Sequence, residues 1–208
     1  AISVESEIPV GSAAYSTEYT IYGNGDVLIT NKIAPDPDKP PMMRLGMQMQ
    51  IPDEFSNVQW YGRGPHETYQ DRKSGAAVAL YEMEASELPF DYVLPQENGN
   101  RTDVRWAAFY NDDGLGLMAI AETVMNFSAW PYTQQQLEDA AHTVDLPEQT
   151  DFYTVNLDYK QMGVGGDNSW SKRSRPHEEY RLKAKPYQYS IRLRPFVSKK
   201  KSIYKIGK

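Results

Sequence analysis

A chain of 208 residues is long enough for one sizeable domain, or two small ones at most. With 40% hydrophobic and 24% charged residues, 14 Gly and 14 Pro, it falls outside the collagen-like, disordered and coiled-coil classes. A formal net charge of -6 lacks the basic footprint of non-specific nucleic-acid binding, and zero cysteines exclude disulfides, thiolate zinc sites and cysteine nucleophiles. The longest apolar runs, Ala76–Tyr81 and Leu115–Ala121, fall far short of the roughly 18 residues of a membrane helix. The N-terminus lacks the basic start and apolar stretch of a secretory signal, as a processed chain also would. Aromatics reach 12%, with 15 Tyr and 4 Trp, the enrichment of a β-protein, a sugar-binding surface, or both.

Period two dominates. Glu18–Tyr22 and Val27–Asn31 flank Gly23-Asn24-Gly25-Asp26, a hairpin signal. Ala34–Pro41 carries four prolines and reads as a surface loop. From Met43 to Ile51 apolar and polar residues alternate, as on a half-buried strand. Val104–Tyr110 and Leu115–Glu122 flank Asn111-Asp112-Asp113-Gly114, a second hairpin, and Met125, Phe127 and Ala129 form a weaker run. Thr133–His142 alone looks helical, with Thr133 as cap and Gln136 three residues on. Tyr153, Val155, Leu157 and Tyr159 mark another strand. Gly163–Pro176 is loop-like, and Lys185-Pro186 separates Tyr180–Ala184 from a last strand at Tyr187–Leu193. The tail Ser198–Lys208, with Lys199, Lys200, Lys201, Lys205 and Lys208, reads as solvated. Short strands with turn clusters between them predict an all-β antiparallel sandwich or barrel.

Candidate chemistry is sparse. Asp53-Glu54, Asp112-Asp113, Glu138-Asp139 and Glu178-Glu179 are adjacent pairs, which on a strand point to opposite faces. A glycosidase needs two carboxylates facing each other roughly 5–9 Å apart, so these pairs read as turn and solvent residues. His66, His142 and His177 lack metal-ligand spacing. Gly62-Arg63-Gly64-Pro65 fails as a phosphate loop because Pro65 removes a donor and no Gly-Lys-Ser/Thr follows; it reads as a tight turn after a strand, held by Arg and Glu partners. Pro95–Arg101 is a polar turn able to hydrogen-bond a sugar or a neighbouring domain. Gly163–Trp170 ends a glycine loop in a large aromatic: Trp170 is either a stacking platform or a lid folded on the core, and residue types leave both open.

Five motifs in order carry a resemblance: Arg44-Leu45-Gly46, Trp60–Arg72, Pro95–Gly99, Tyr132–Leu137 and Met162–Trp170. Together they resemble the C-terminal small-chain domain of bacterial β-galactosidases of glycoside hydrolase family 2, from about Tyr15 to Pro195, with residues 196–208 left as a basic tail. The resemblance implies an all-β, large antiparallel sandwich of the galactose-mutarotase-like type, occupying residues 1–208 as a single domain. It implies a C-terminal fragment of that domain, since the family usually begins several dozen residues earlier. It also implies an accessory role in a retaining enzyme that hydrolyses terminal β-D-galactosides such as lactose. The family's barrel, with its acid/base and nucleophile glutamates, is absent, so no residue here is assigned as catalytic and the chain alone is expected to be inactive. Trp170 matches the family's aromatic platform for the aglycone sugar, and Asp167, Asn168 and Ser169 match the loop presenting it. Implied partners are a β-galactoside sugar, the catalytic barrel of the same polypeptide and a second copy of the chain, with no nucleic acid or membrane. No cofactor or metal is expected in this chain; the family's Mg and Na ions sit on other domains. The compartment stays open between bacterial cytoplasm and periplasm. The rival is a stand-alone carbohydrate-binding or mutarotase-like module, needing its own acid and base from His66 or His142 with a glutamate.

Overall fold

The period-two runs become strands. In the computed structural model, which describes residues 1–147, 150–198 and 202–207, the strands are β1 (Ile2–Ile8), β2 (Ala13–Ile21), β3 (Val27–Ala34), β4 (Arg44–Pro52), β5 (Asn57–Gly64), β6 (Ala77–Glu84), β7 (Arg101–Tyr110), β8 (Leu115–Trp130), β9 (Phe152–Gln161) and β10 (Tyr187–Val197). Helix is confined, among the described residues, to α1 (Gln134–Asp139), α2 (Ile203–Ile206) and single 3-10 turns. None of these helices is long and apolar enough to cross a membrane. Along β5, Val58, Trp60, Gly62 and Gly64 are buried while Gln59, Tyr61 and Arg63 are half-buried, the alternation of a strand with one face on the core. Both expected hairpin turns form, with Gly25 at φ +90 and Gly114 at φ +77, a backbone region open to glycine.

The sheet branches at β8. Its first half pairs β10, which continues through β3 and β2 to β1, and its second half pairs β9, which continues to β4. On its other side β8 pairs β7, followed by β5 and β6. All of these pairings are antiparallel. The two arms close on each other. Ile33, Tyr189 and Ile191 of one arm share a buried cluster with Leu45, Ile51, Val155 and Leu157 of the other, completed by Trp60, Phe109 and Phe127. Across the gap Tyr159 stacks on Tyr189 at 5.2 Å. Facing sheets with a shared apolar interior make this an all-β antiparallel sandwich. Each fully buried Val, Leu, Ile or Phe contributes roughly 1.5–3 kcal/mol.

Four local expectations need correction. The runs Leu115–Glu122 and Met125–Ala129 belong to one strand, β8, which passes from one arm to the other through the exposed stretch Glu122–Val124. The helix begins as expected, with Thr133 and Gln136 forming a capping box, but it stops at Asp139 rather than His142. Asp145 Oδ2 accepts from the N–H groups of Ala141 at 3.1 Å and His142 at 2.8 Å, drawing both out of helical geometry. Tyr180–Ala184 is not a strand: a 3-10 turn covers Glu178–Tyr180, and Leu182 makes one isolated bridge to Met42.

The last correction concerns the tail. Lys199, Lys200, Lys201 and Lys208 lie outside the described residues. Ser202–Gly207, however, docks on the sheet, with Ile203 only 8% exposed. The outer face of β7, β8 and β10 presents Trp106, Ala108, Met118 and Phe196, and α2 covers them with Ile203, Ile206 and Tyr204. Three apolar residues in four outweigh the neighbouring lysines because that sheet face is itself apolar.

Candidate functional site

Three motifs far apart in sequence meet at one cleft of about 660 Å³. The turn after β5 supplies Tyr69, Asp71 and Arg72. Gln96 and Glu97 enter from the Pro95–Gly99 segment. The glycine loop after β9 adds Val164, Gly165, Gly166 and Asp167, and His177 and Tyr180 complete the wall.

Two buried polar knots hold these segments. Glu67 accepts from the backbone N–H of Gly99 at 2.8 Å, from Arg72 at 2.5 Å and from the Tyr92 hydroxyl. Beneath it Arg101, 2% exposed, donates to the carbonyls of Leu88, Gly99 and Pro65 at 2.6–2.9 Å. Burial pulls the Arg101 guanidinium down to about 10, against the charge of Glu67. The turn after β5 is thus held by Arg and Glu partners, as expected. The Pro95–Arg101 segment is mostly turned inward: Asn98 accepts from Phe90 N–H and donates to the Gln96 carbonyl and the Tyr132 hydroxyl, leaving Gln96 and Glu97 to face the cleft.

In the second knot, Arg44 at the start of β4 reaches Asp158 at 2.5 Å and Glu97 at 3.1 Å, and rests 5.9 Å from the Trp130 ring. Burial lowers the proton affinity of Arg44, but the two carboxylates outweigh it and the guanidinium stays charged. Burial raises the carboxyls of both Asp158 and Glu97, with Arg44 opposing in each case. Tyr69 donates to Glu97 at 3.5 Å and is itself raised by burial. Glu97 and Tyr69 of the cleft wall are therefore held from behind by Arg44, which Asp158 anchors in turn.

The glycine loop hangs on Asp71, whose Oδ2 accepts from Gly165 N–H at 2.8 Å. A Cβ on Gly163 would lie 2.5 Å from that same oxygen, so only glycine admits the approach. Asp71 Oδ1 is buried without a partner among the described residues. Further along, Asp167 N–H donates to the Arg173 carbonyl at 2.7 Å, and its carboxylate meets His177 Nε2 at 2.7 Å. The Asp167 hydrogen bond, then its charge, raises His177 above the ordinary histidine range. Asn168 Oδ1 accepts from Trp170 N–H, Ser171 N–H and Ser171 Oγ at 3.0–3.2 Å, folding the tip into a tight turn. Ser169 is exposed. Trp170 is 84% exposed, and its indole makes no hydrogen bond or ring contact among the described residues. It is not a lid on the core; it projects from a braced loop whose base lines the cleft.

Of the site residues expected from sequence, Asp167 lines the cleft, Asn168 shapes the tip, and Trp170 and Ser169 stand outside it. The residues a mutarotase would need are not assembled. His66 is exposed; His142 lies at 3.6 Å from Asp145 on the surface, and neither lines this cleft. The histidine that does reach it is His177, which spacing alone gave no reason to choose. Asp71, Arg44 and Glu97 lie inside the motifs that carry the resemblance yet have no role assigned there; Asp71 and Glu97 are charged residues between strands, and Arg44 opens strand β4.

The site and fold define an all-β sandwich domain that gathers three inter-strand segments, far apart in sequence, around one cleft with an exposed tryptophan beside it. This chain belongs to the β-galactosidase small-chain family, whose model, described as "Beta galactosidase small chain", matches residues 2–193. It is 40% identical over 195 residues to a β-galactosidase of Priestia megaterium, covering 93% of this chain and 19% of that protein. A Vibrio cholerae β-galactosidase is 37% identical over 176 residues (85% and 16%), and β-galactosidase BgaC of Bifidobacterium adolescentis 37% over 163 (76% and 15%). The chain thus spans less than a fifth of each of these relatives. Among solved structures it is similar to a putative aldose 1-epimerase from Escherichia coli K12, at 10% identity and a TM-score of 0.48, over 94% of this chain and 64% of that one.

Proposed function

We propose that this chain is the accessory domain of a retaining β-galactosidase that hydrolyses terminal β-D-galactosides such as lactose, and that it contributes Trp170 to the mouth of the active site as a platform for the aglycone sugar. The observation that carries this reading is the contrast at the glycine loop. Its base is tied by Asp71 and Asp167 and its tip is turned by Asn168, while the indole is 84% exposed. An aromatic held out in water on an ordered turn loses nothing further in backbone order when a sugar face stacks on it.

The chemistry belongs to the barrel domain of the parent polypeptide, where one carboxyl protonates the leaving group and the other forms a galactosyl-enzyme intermediate. On the same reading the metal ions of the parent family sit on its other domains. On this reading too, a second copy of the chain pairs along β1, where Ile2 and Val4 are 57% and 47% exposed.

The test is Trp170→Ala in the parent enzyme. Affinity for glucose as acceptor should fall about tenfold or less, the worth of one stacked aromatic, while hydrolysis to free galactose persists. Because the indole is exposed, the melting temperature should hold, with a stability change within about 0.5 kcal/mol. Unchanged acceptor affinity would remove the platform role. The 208-residue chain alone should not turn over a chromogenic β-galactoside.

A further inference from the structure

A second cleft, of about 840 Å³, lies beyond Gln161 and Tyr180, which line both. We infer that it is a separate saccharide site, taking a neutral hydroxyl-bearing ring independently of Trp170. The inference starts from two buried amides. Asn126 on β8 is 2% exposed, yet its Nδ2 has no partner among the described residues. Gln161 at the end of β9 is 8% exposed; it hydrogen-bonds Glu97 on the side of the first cleft, and its Oε1 has no partner. Both side chains line the second cleft. Leaving buried polar atoms unpaired is unfavourable, so a matching ligand gains more from them than from the same groups in water.

The pairing selects the ligand. Asn126 Nδ2 is a donor and Gln161 Oε1 an acceptor, and a hydroxyl satisfies either. An anion would serve Asn126 and be repelled by the Gln161 oxygen; a metal cation would do the reverse. The rim agrees. Asp103 sits in a bulged stretch of β7 with φ 54, where the register slips between Arg101 and Trp106, and its carboxylate is held by Arg63 at 2.6 Å and Lys73 at 3.1 Å. A bulge that redirects a side chain into a cleft is a recurrent feature of binding sites. Opposite, Tyr159 and Tyr187 meet at 6.3 Å, with the Lys160 ammonium 5.1 Å from the Tyr159 ring. Acceptors, ammonium donors and aromatic edges around uncharged amides fit sugar hydroxyls, and the mixed signs disfavour a strongly charged ligand.

This site goes beyond the aglycone platform and stands or falls apart from it. Titrate the ¹⁵N-labelled chain with lactose and, separately, with sodium sulfate, following the side-chain amides of Asn126 and Gln161. Lactose should move both signals, equally in the native chain and in Trp170→Ala, and Asn126→Leu should weaken its binding about tenfold, the loss of one hydrogen bond to a buried group. Should Asn126→Leu fail to fold, the native titration decides alone. Still signals at about 100 mM lactose, well above the millimolar range of weak sugar sites, would overturn the proposal. So would movement by sulfate in place of lactose, or loss of the lactose response in Trp170→Ala.

Discussion

The backbone N–H of Gly165 donates to Oδ2 of Asp71 at 2.8 Å, joining two loops whose anchor residues are 94 positions apart. That link is the loop's side-chain tie to the turn after β5; its other ties run from Gly163 N–H to the Tyr180 carbonyl, from Asp167 N–H to the Arg173 carbonyl and from the Asp167 carboxylate to the exposed His177. Asp71→Ala removes the acceptor and the wall that Gly163 packs against. A net hydrogen bond is worth about 0.5–1.5 kcal/mol, so global stability should fall by no more than that. Amide exchange over residues 163–170 should accelerate by roughly the corresponding tenfold. Unaltered exchange there would mean the loop is held by something other than Asp71.

The His177–Asp167 pair gives the loop a pH dependence of definite sign. Asp167 raises His177 above the ordinary value near 6.5. A histidine raised in the folded chain adds stabilisation that is complete below its unfolded pKa and is lost as pH climbs through the folded one. Loop order should therefore be greatest at mildly acidic pH and decline on the alkaline side of about 6.5. Proton NMR of the His177 ring checks this directly: its midpoint should drop back toward about 6.5 in Asp167→Asn. A midpoint identical in both proteins would dissolve the pair.

How much of this was legible in the sequence differs by residue. The strands containing Leu45–Ile51 and Tyr187–Leu193 could be read because alternate positions meet water and core. Ile2–Ile8 alternates only in Ile2, Val4 and Ile8, and the fold does not bury that stripe: every one of its residues is exposed at the sheet edge. Helix α1 announced its start through Thr133 and Gln136, but its end was set by Asp145, a competing acceptor that no periodicity reveals. Trp170 stood out as a large aromatic after glycines. Its supports did not, because Asp71 and His177 reach the loop through the fold and not through the chain. The resemblance to the small-chain family named the loop; only the packing shows which residues hold it.

Arg44 should be the costliest single residue of the site. Its guanidinium neutralises Asp158, whose side chain is 3% exposed, and reaches Glu97 on the cleft wall. Removing one member of a buried pair leaves the other charged without a partner, typically a loss of about 3–5 kcal/mol. Arg44→Ala should lower stability by that amount in urea denaturation at neutral pH, and the deficit should shrink in acid as the stranded Asp158 takes up a proton. In Arg44→Ala/Asp158→Leu much of the loss should be recovered, because the most deeply buried charge goes with its partner and only Glu97, which faces the cleft, is left without Arg44. A double variant as unstable as the single one would show that Arg44 acts through packing on Trp130 rather than through charge.

The C-terminal turn offers the clearest test of the packing argument, since composition marks it as solvated tail and the fold makes it part of a core. Ile203, 8% exposed, sits in a cluster with Trp106, Ala108, Met118 and Phe196 on the outer sheet face, and Arg194 donates to the Ile206 carbonyl at 2.8 Å. Arg194 is in turn held by Asp26 at 2.8 Å, so the segment is tied to the β2–β3 turn as well as to the sheet. Ile203→Asp places a carboxylate against the apolar cluster of Trp106, Ala108, Met118 and Phe196, and the turn should undock rather than bury it. The stabilisation lost is then that of one isoleucine side chain, roughly 1.5–3 kcal/mol. Trp106, only 2% exposed, becomes accessible when α2 leaves, so iodide should newly quench part of the tryptophan emission. Ile203→Val, which keeps the apolar contact, should cost about 0.5–1.5 kcal/mol and leave Trp106 shielded. Equal quenching of the native chain and Ile203→Asp would mean that the turn does not cover Trp106 in solution.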